Sequence, residues 1–294
     1  MFEPFTLADR VQFFSGPGQL PQCALRSPKG RATISLQGAQ VLSFCPAGGE
    51  DLLWLSPDAR FRSGAPIRGG IPICWPWFGP HPEQADFPAH GFARTTLWEV
   101  RSSFADDDAS SLTLGLTDSP SSRSYWPANF DLELRVTLTD RLQLQLTTRN
   151  CGSQAFQYTE ALHSYLAIAD VAQVSIEGLH PCRYFDKLEH YALKPSTELL
   201  TPHPPLDRVY DHRDSAIALV DRVMERTLAL IKSGSESTIV WNPGTQLLPS
   251  DIPLEQSSRF ICIEAGNALE RSVRLMPDEQ HTLSLTLSQL NENE

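Results

Sequence analysis

The 294-residue chain has no segment approaching the roughly 18 consecutive apolar residues that a membrane-spanning helix requires. Its amino terminus, MFEPFTLADR, has an early Glu and Pro and lacks the apolar run of a secretory leader. Basic residues are outnumbered, 24 against 35 acidic, and no basic patch interrupts the resulting net charge of −11. Nucleic acid and anionic membrane are therefore not expected as partners. The six cysteines are scattered without a CxxC pair, and the neighbouring His180 and Cys182 have no second pair to complete a zinc site. Cys45, Cys74 and Cys262 lie in the apolar contexts LSFC, IPIC and FICI, so buried, reduced thiols and a cytoplasmic setting are expected. HxH, HExxH, GxSxG and Walker-type motifs are also missing, so no metal or cofactor is expected.

Long helical periodicities are missing too. In their place, apolar and polar residues alternate, and with 41% hydrophobic residues the chain can fill a sizeable core. The clearest case is Leu132, Leu134, Val136, Leu138, then Leu142, Leu144, Leu146, with Thr139-Asp140-Arg141 between them as a hairpin turn. Similar alternation marks strands at 33–37, 41–44, 51–55, 96–101, 112–117, 174–178, 227–231, 238–241, 259–264 and 282–287. Only a short helical turn between Ser119 and Trp126 fits, because Pro120 and Pro127 bound it. Asp106-Asp107-Asp108 reads as a solvated turn. Many short strands without crossover helices predict an all-β sandwich of antiparallel sheets, and the absence of linkers or repeats predicts one domain over 1–294.

One stretch breaks the alternation. Ile67–Arg94 reads IRGGIPICWPWFGPHPEQADFPAHGFAR, with five prolines and four glycines in 28 residues. Prolines at that density rule out a helix interior. The isoleucines, tryptophans and phenylalanines favour an ordered, rigid binding loop over disorder. Trp75 and Trp77 suit either a sugar face or the core. Arg68 and Arg94 flank the loop as local cations in an acidic chain, either free for an anionic ligand or tied in surface ion pairs.

Of eight histidines, His81, His180, His190, His203, His212 and His281 have loop or strand-start contexts where exposure is expected. His90 precedes Gly91 within the loop. His163 differs, because it lies in the strand-like run YTEALHSYL with apolar neighbours on both sides. It is either a hydrogen-bonded core histidine or a general acid/base. Glu264 ends FICIE, where burial would raise its pKa into a useful range for a base, while an exposed strand end would leave it ordinary. Asp207 in PLDRVY fits an Asp–Arg surface pair.

The segments RGGIPICWPWFG, PAHGFAR, ALHSYL, LDRVY, VWNP and FICIEAG together resemble the aldose 1-epimerase superfamily, and within it the glucose-6-phosphate 1-epimerase (hexose-6-phosphate mutarotase) branch. The resemblance implies a galactose-mutarotase-like β-supersandwich. It implies that His163 and Glu264 are catalytic and that Arg68, His90, Arg94 and Asp207 bind substrate. The implied reaction interconverts the α and β anomers of a hexose 6-phosphate, by acid/base ring opening and closure, with no cofactor. A small-molecule sugar phosphate is thus the expected partner, and a monomer the expected state. The alternatives are a mutarotase for non-phosphorylated aldoses and a catalytically idle carbohydrate-binding sandwich. Two positions depart from the family pattern. Ala89 replaces a frequent Gln, removing one expected substrate hydrogen bond, and Ala265 replaces a frequent Pro, which is expected to loosen the turn after Glu264.

Overall fold

The computed structural model describes residues 2–213 and 215–290. Two eight-stranded sheets form the body. One runs in the order Val174–Glu177, Ala216–Asp221, Arg226–Ser233, Gln280–Leu290, Leu142–Asn150, Phe130–Leu138, Ser110–Thr117 and Glu99–Ala105. The other runs Ala192–Ser196, Cys182–Asp186, Leu206–Asp211, Ser237–Asn242, Phe260–Asn267, Glu160–Leu162 and Ile73–Cys74, with Tyr165–Ala167 also paired to Phe260–Asn267. A four-stranded meander, Val11–Ser15, Pro21–Ser27, Gly30–Ser35 and Gln40–Pro46, adds a third layer, and Phe156–Tyr158 pairs with Val273–Leu275. The ladders between these strands are antiparallel.

The period-two pattern explains this packing. Phe130, Leu132, Leu134, Val136 and Leu138 face one way and meet Leu142, Leu144 and Leu146 across the hairpin, with Leu138 opposite Leu142. They join Leu219, Leu228, Leu285 and Leu287 from the same sheet in one apolar cluster, which also takes Leu162, Val240, Ile261 and Ile263 from the facing sheet. Burying each such side chain stabilises the fold by roughly 1.5–3 kcal/mol. The short helix Pro120–Tyr125 forms where a turn was expected, with Ser119 and Ser122 capping it reciprocally. Asp106 makes its turn by accepting from the N–H groups of Asp108 and Ala109.

Three expectations need correction. Residues 51–55 form no continuous strand. They bridge singly to two different partners, Leu53 to Leu166 and Leu55 to Gly69. The strand expected from Thr96 begins at Glu99, because Ala93–Thr95 closes a 3₁₀ turn first. The run around His163 is not one strand but two, Glu160–Leu162 and Tyr165–Ala167, with His163 and Ser164 at the break.

The proline-rich segment lies between the meander and the second sheet, and backbone bonds fix it along its length. Gly70 N–H donates to Trp54 O at 2.8 Å, Ile71 N–H to Val41 O at 2.8 Å, His90 N–H to Gly79 O at 2.6 Å, and Phe92 N–H to Trp75 O at 3.1 Å. Trp75 and Trp77 are buried. Their indoles donate to Thr148 Oγ1 and Pro88 O, so both tryptophans serve the core and neither offers a stacking face. At Gly91 the backbone has φ +72°, and a Cβ there would lie 2.0 Å from Trp75 O. Gly91→Ala is therefore expected to cost more than about 4 kcal/mol in urea unfolding, as a core clash does. Gly48, at φ +73° with open space around it, should lose only about 1–2 kcal/mol on the same change. Equal losses would contradict the close approach at Gly91.

Candidate functional site

Leu162 pairs with Ala265 before the break in its strand, and Tyr165 with Cys262 after it. The register is the same on both sides, so His163 falls opposite Glu264 with no residue inserted or lost. Side chains alternate across a strand. Ile261 and Ile263 point into the sandwich core, while Phe260, Cys262 and Glu264 share the other face. His163 Nε2 lies 3.3 Å from Glu264 Oε1. Both are buried, Glu264 to 1% exposure and His163 to 7%. Neither oxygen of Glu264 and not Nδ1 of His163 has a hydrogen-bond partner among the described residues. The exposed-end reading of Glu264 required water and does not hold; His163 is buried, with Glu264 3.3 Å from Nε2 and Nδ1 unsatisfied among the described residues.

Glu264 also does not end its strand, and the Ala265 departure loosens no turn. Alanine keeps the N–H that proline would lack, so the strand runs on to Asn267, with Ala265 paired to both Leu162 and Thr238.

Aromatic walls hold the imidazole. Tyr165 stacks on it with centroids 4.8 Å apart and planes 12° apart, and Trp241 meets its edge at 5.9 Å. Burial drives the Glu264 carboxyl well above its ordinary pKa, with Lys187 opposing that shift and Asp207 adding to it. Burial drives His163 well below its own, helped by the charge environment of His90, Arg94 and Arg68. Both shifts have the same physical cause, the penalty on isolated charge away from water.

The remaining expected residues surround this pair. His90 adopts φ +64°, and its ring centroid is 5.8 Å from that of His163. Its Nδ1 accepts from Gly79 N–H at 3.2 Å, which leaves Nε2 as the protonated nitrogen of the neutral ring. Burial, then Arg94, Lys187 and Arg68, depress its pKa well below the usual value, so it stays neutral. Arg94 donates from Nη2 to Ala89 O at 2.8 Å, and its Nε is buried without a partner among the described residues. Arg68 is more committed. Nε donates to Asp251 Oδ1 at 3.1 Å and Nη1 to Tyr165 Oη at 3.0 Å, which ties the loop to the strand behind His163. Asp207 is two strands from Glu264, opposite Trp241, which is itself opposite Cys262. Its partner is Lys187 Nζ at 2.8 Å rather than the Arg208 expected for a surface pair.

Three other histidine expectations fail. His81, His212 and His281 are half-buried rather than exposed, and the His81 ring packs against Trp77 and Phe87. His212 contacts the Thr238 and Ser215 hydroxyls, and His281 lies 3.3 Å from the buried Glu160. Sequence reasoning missed Lys187, Tyr165, Trp241, Asp251 and Cys262. Period two from His163 and Glu264 would have found Tyr165 and Cys262; Lys187 and Asp251 arrive from loops and leave no local signal. Cys262 brings a further surprise. His163, Cys262 and Glu264 offer donor atoms within 4.8 Å of one another, a potential ligand set that no sequence spacing announced.

Comparison with known proteins identifies the family. Residues 21–288 match the family described as "Aldose 1-epimerase". An Escherichia coli (strain K12) protein named "Putative glucose-6-phosphate 1-epimerase" is 36% identical over 246 residues, covering 83% of this chain and 82% of its own. A Cenchrus ciliaris protein of the same name is 32% identical, covering 92% and 85%. The crystal structure of a "putative mutarotase" from Salmonella typhimurium superposes with a TM-score of 0.91 at 31% identity, covering 98% of this chain and 96% of that one. A galactose mutarotase-like protein from Lactobacillus casei, 16% identical, shares the fold at a TM-score of 0.73, covering 92% of this chain and 100% of its own. The chain is a sugar epimerase with a galactose mutarotase-like fold and belongs to the aldose 1-epimerase family.

Proposed function

We propose that the enzyme interconverts the α and β anomers of a hexose 6-phosphate, with His163 and Glu264 as its proton-transfer pair. The observation that carries this reading is a set of buried polar atoms left unsatisfied on one face: both Glu264 oxygens, His163 Nδ1, Arg94 Nε and Asp207 Oδ1. Buried polar groups without partners cost about 1–3 kcal/mol each. A polyhydroxylated, anionic ligand supplies both donors and acceptors to offset that cost. Arg68 is paired with Asp251 and Lys187 with Asp207, whereas Arg94 has no acidic partner among the described residues, and that uncompensated cation in a chain of net charge −11 favours a sugar phosphate over a neutral sugar.

In the reaction, Glu264 takes the proton of the C1 hydroxyl while protonated His163 gives one to the ring oxygen. The C1–O5 bond breaks and the C1 carbonyl forms. Rotation about C1–C2 turns the other face of the carbonyl, and closure with the roles reversed yields the other anomer. The pair holds one proton before and one after, so no net charge is created in the buried site. Because burial opposes charge on both groups, the proton rests on Glu264 in the free enzyme. Its move to His163 across the 3.3 Å gap accompanies sugar binding. His90, through Nε2–H, and Asp207 position the sugar hydroxyls, and Arg94 and Arg68 hold the phosphate.

Three outcomes follow. Glu264→Gln keeps the shape and removes the base. Its kcat for glucose 6-phosphate anomerisation should fall about 10²–10⁴-fold, and full activity would refute the assignment. Arg94→Ala removes a charge-assisted contact worth about 1.5–3 kcal/mol. It should raise KM for glucose 6-phosphate by about 10–100-fold while leaving free glucose, the slower substrate, little changed. Equal wild-type rates on the two sugars would favour the non-phosphorylated alternative. Finally, a neutral imidazole at pH 6.5, the ordinary histidine midpoint, is expected for His163 by histidine-selective NMR of the free enzyme. A protonated ring at that pH would overturn the resting-proton assignment.

A further inference from the structure

Cys262 takes no part in the proton transfers, yet its side chain sits beside the groups that do. We propose that His163, Cys262 and Glu264 form a tridentate site for a thiophilic divalent cation such as Zn²⁺ or Cd²⁺, whose binding excludes the sugar and stops turnover. Two observations support this independently of any sugar. The three side chains supply one nitrogen, one sulfur and one oxygen donor, all within 4.8 Å of one another and all buried. Both oxygens of Glu264 lack hydrogen-bond partners among the described residues, so a cation displaces no existing hydrogen bond at the carboxylate.

The geometry is close to what zinc takes. Ligands at about 2.0–2.3 Å in a tetrahedron stand roughly 3.3–3.8 Å from one another. His163 Nε2 and Glu264 Oε1 are already 3.3 Å apart, and shifts on the order of 1 Å bring in the thiol. The donors also stand on ordered strands. Cys262 and Glu264 are alternate residues of Phe260–Asn267, and His163 is held across from them by the Leu162–Ala265 and Tyr165–Cys262 pairs. Charge balance is favourable as well. A thiolate and a carboxylate neutralise a dication, and the two protons they release leave to solvent. Of the five other cysteines, Cys151 is exposed and Cys182 half-exposed, so these two compete for metal at the surface.

The consequence for activity rests on the proposed role of His163 and Glu264, but the binding does not. Cd²⁺ is the probe, added to the sugar-free full-length protein carrying Cys151→Ser and Cys182→Ser. The readout is the ultraviolet sulfur-to-cadmium charge-transfer band. One-to-one binding is expected, and it should disappear in both Cys262→Ala and Cys262→Ser. Cd²⁺ should also depress anomerase activity on the order of a hundredfold, the scale of losing the acid/base pair. Each Cys262 variant should keep its basal rate and resist the metal. No band, a band that survives both substitutions, or binding that leaves activity intact would each overturn the proposal. A protein that binds Cd²⁺ through Cys262 yet anomerises no sugar would instead sink the functional reading and leave the cation site standing.

Discussion

The site depends on one constraint, the unbroken register between Phe260–Asn267 and the two short strands beside it. Leu162 opposite Ala265 and Tyr165 opposite Cys262 leave His163 a single possible partner, Glu264. Shifting either strand by one residue would send that strand's member of the pair into the apolar interior, because alternate residues face opposite sides. Ile261 and Ile263 on the core face of the same strand oppose that slip. The same hydrophobic burial that holds the sandwich together therefore also aligns the two titratable groups.

In the proposed mechanism, desolvation gives the pair its chemistry. The Tyr165 ring and the Trp241 edge confine the imidazole, and the sheet encloses the carboxylate. Neither charge is comfortable alone, so on the proposed reading the pair carries a single proton, resting on Glu264. The cations stand one layer out. Arg68 is anchored by Asp251 and Tyr165, Arg94 by Ala89 O, and Lys187 by Asp207. Each keeps its charge near the site while its geometry is set by a neighbour, which is how a rigid site avoids paying ordering entropy on binding.

Much of this was legible in the sequence, and the reason is periodicity. The hairpin at Leu132–Leu146 and the strands carrying Val174 and Thr227 announced their faces by alternation, while those carrying Thr238 and Phe260 read as strands from short apolar runs covered on both faces. Two kinds of feature did not. Strands such as Pro21–Ser27 and Cys182–Asp186 alternate poorly, because parts of both faces are covered or charged. Residues 51–55 looked like a strand by composition, but their backbone groups are divided among Phe44, the strand Tyr165–Ala167 and the loop at Gly69 and Gly70. At the site, His163, Glu264 and the flanking arginines stood out as polar groups in apolar or proline-rich settings. Lys187, Asp251 and Cys262 did not, since their proximity arises from sheet order and loop paths that no local spacing encodes. The conflict between burial and charge at Glu264 was visible in FICIE; its resolution against His163 needed the register.

The central claim is that His163 and Glu264 act as one unit through a shared proton. A double-mutant cycle in kcat for glucose 6-phosphate anomerisation, with His163→Asn, Glu264→Gln and the pair combined, tests it most directly. Loss of either partner disables the relay, so the double variant should be no slower than the slower single variant. If the two losses multiply, the residues act independently, and the shared-proton account is wrong.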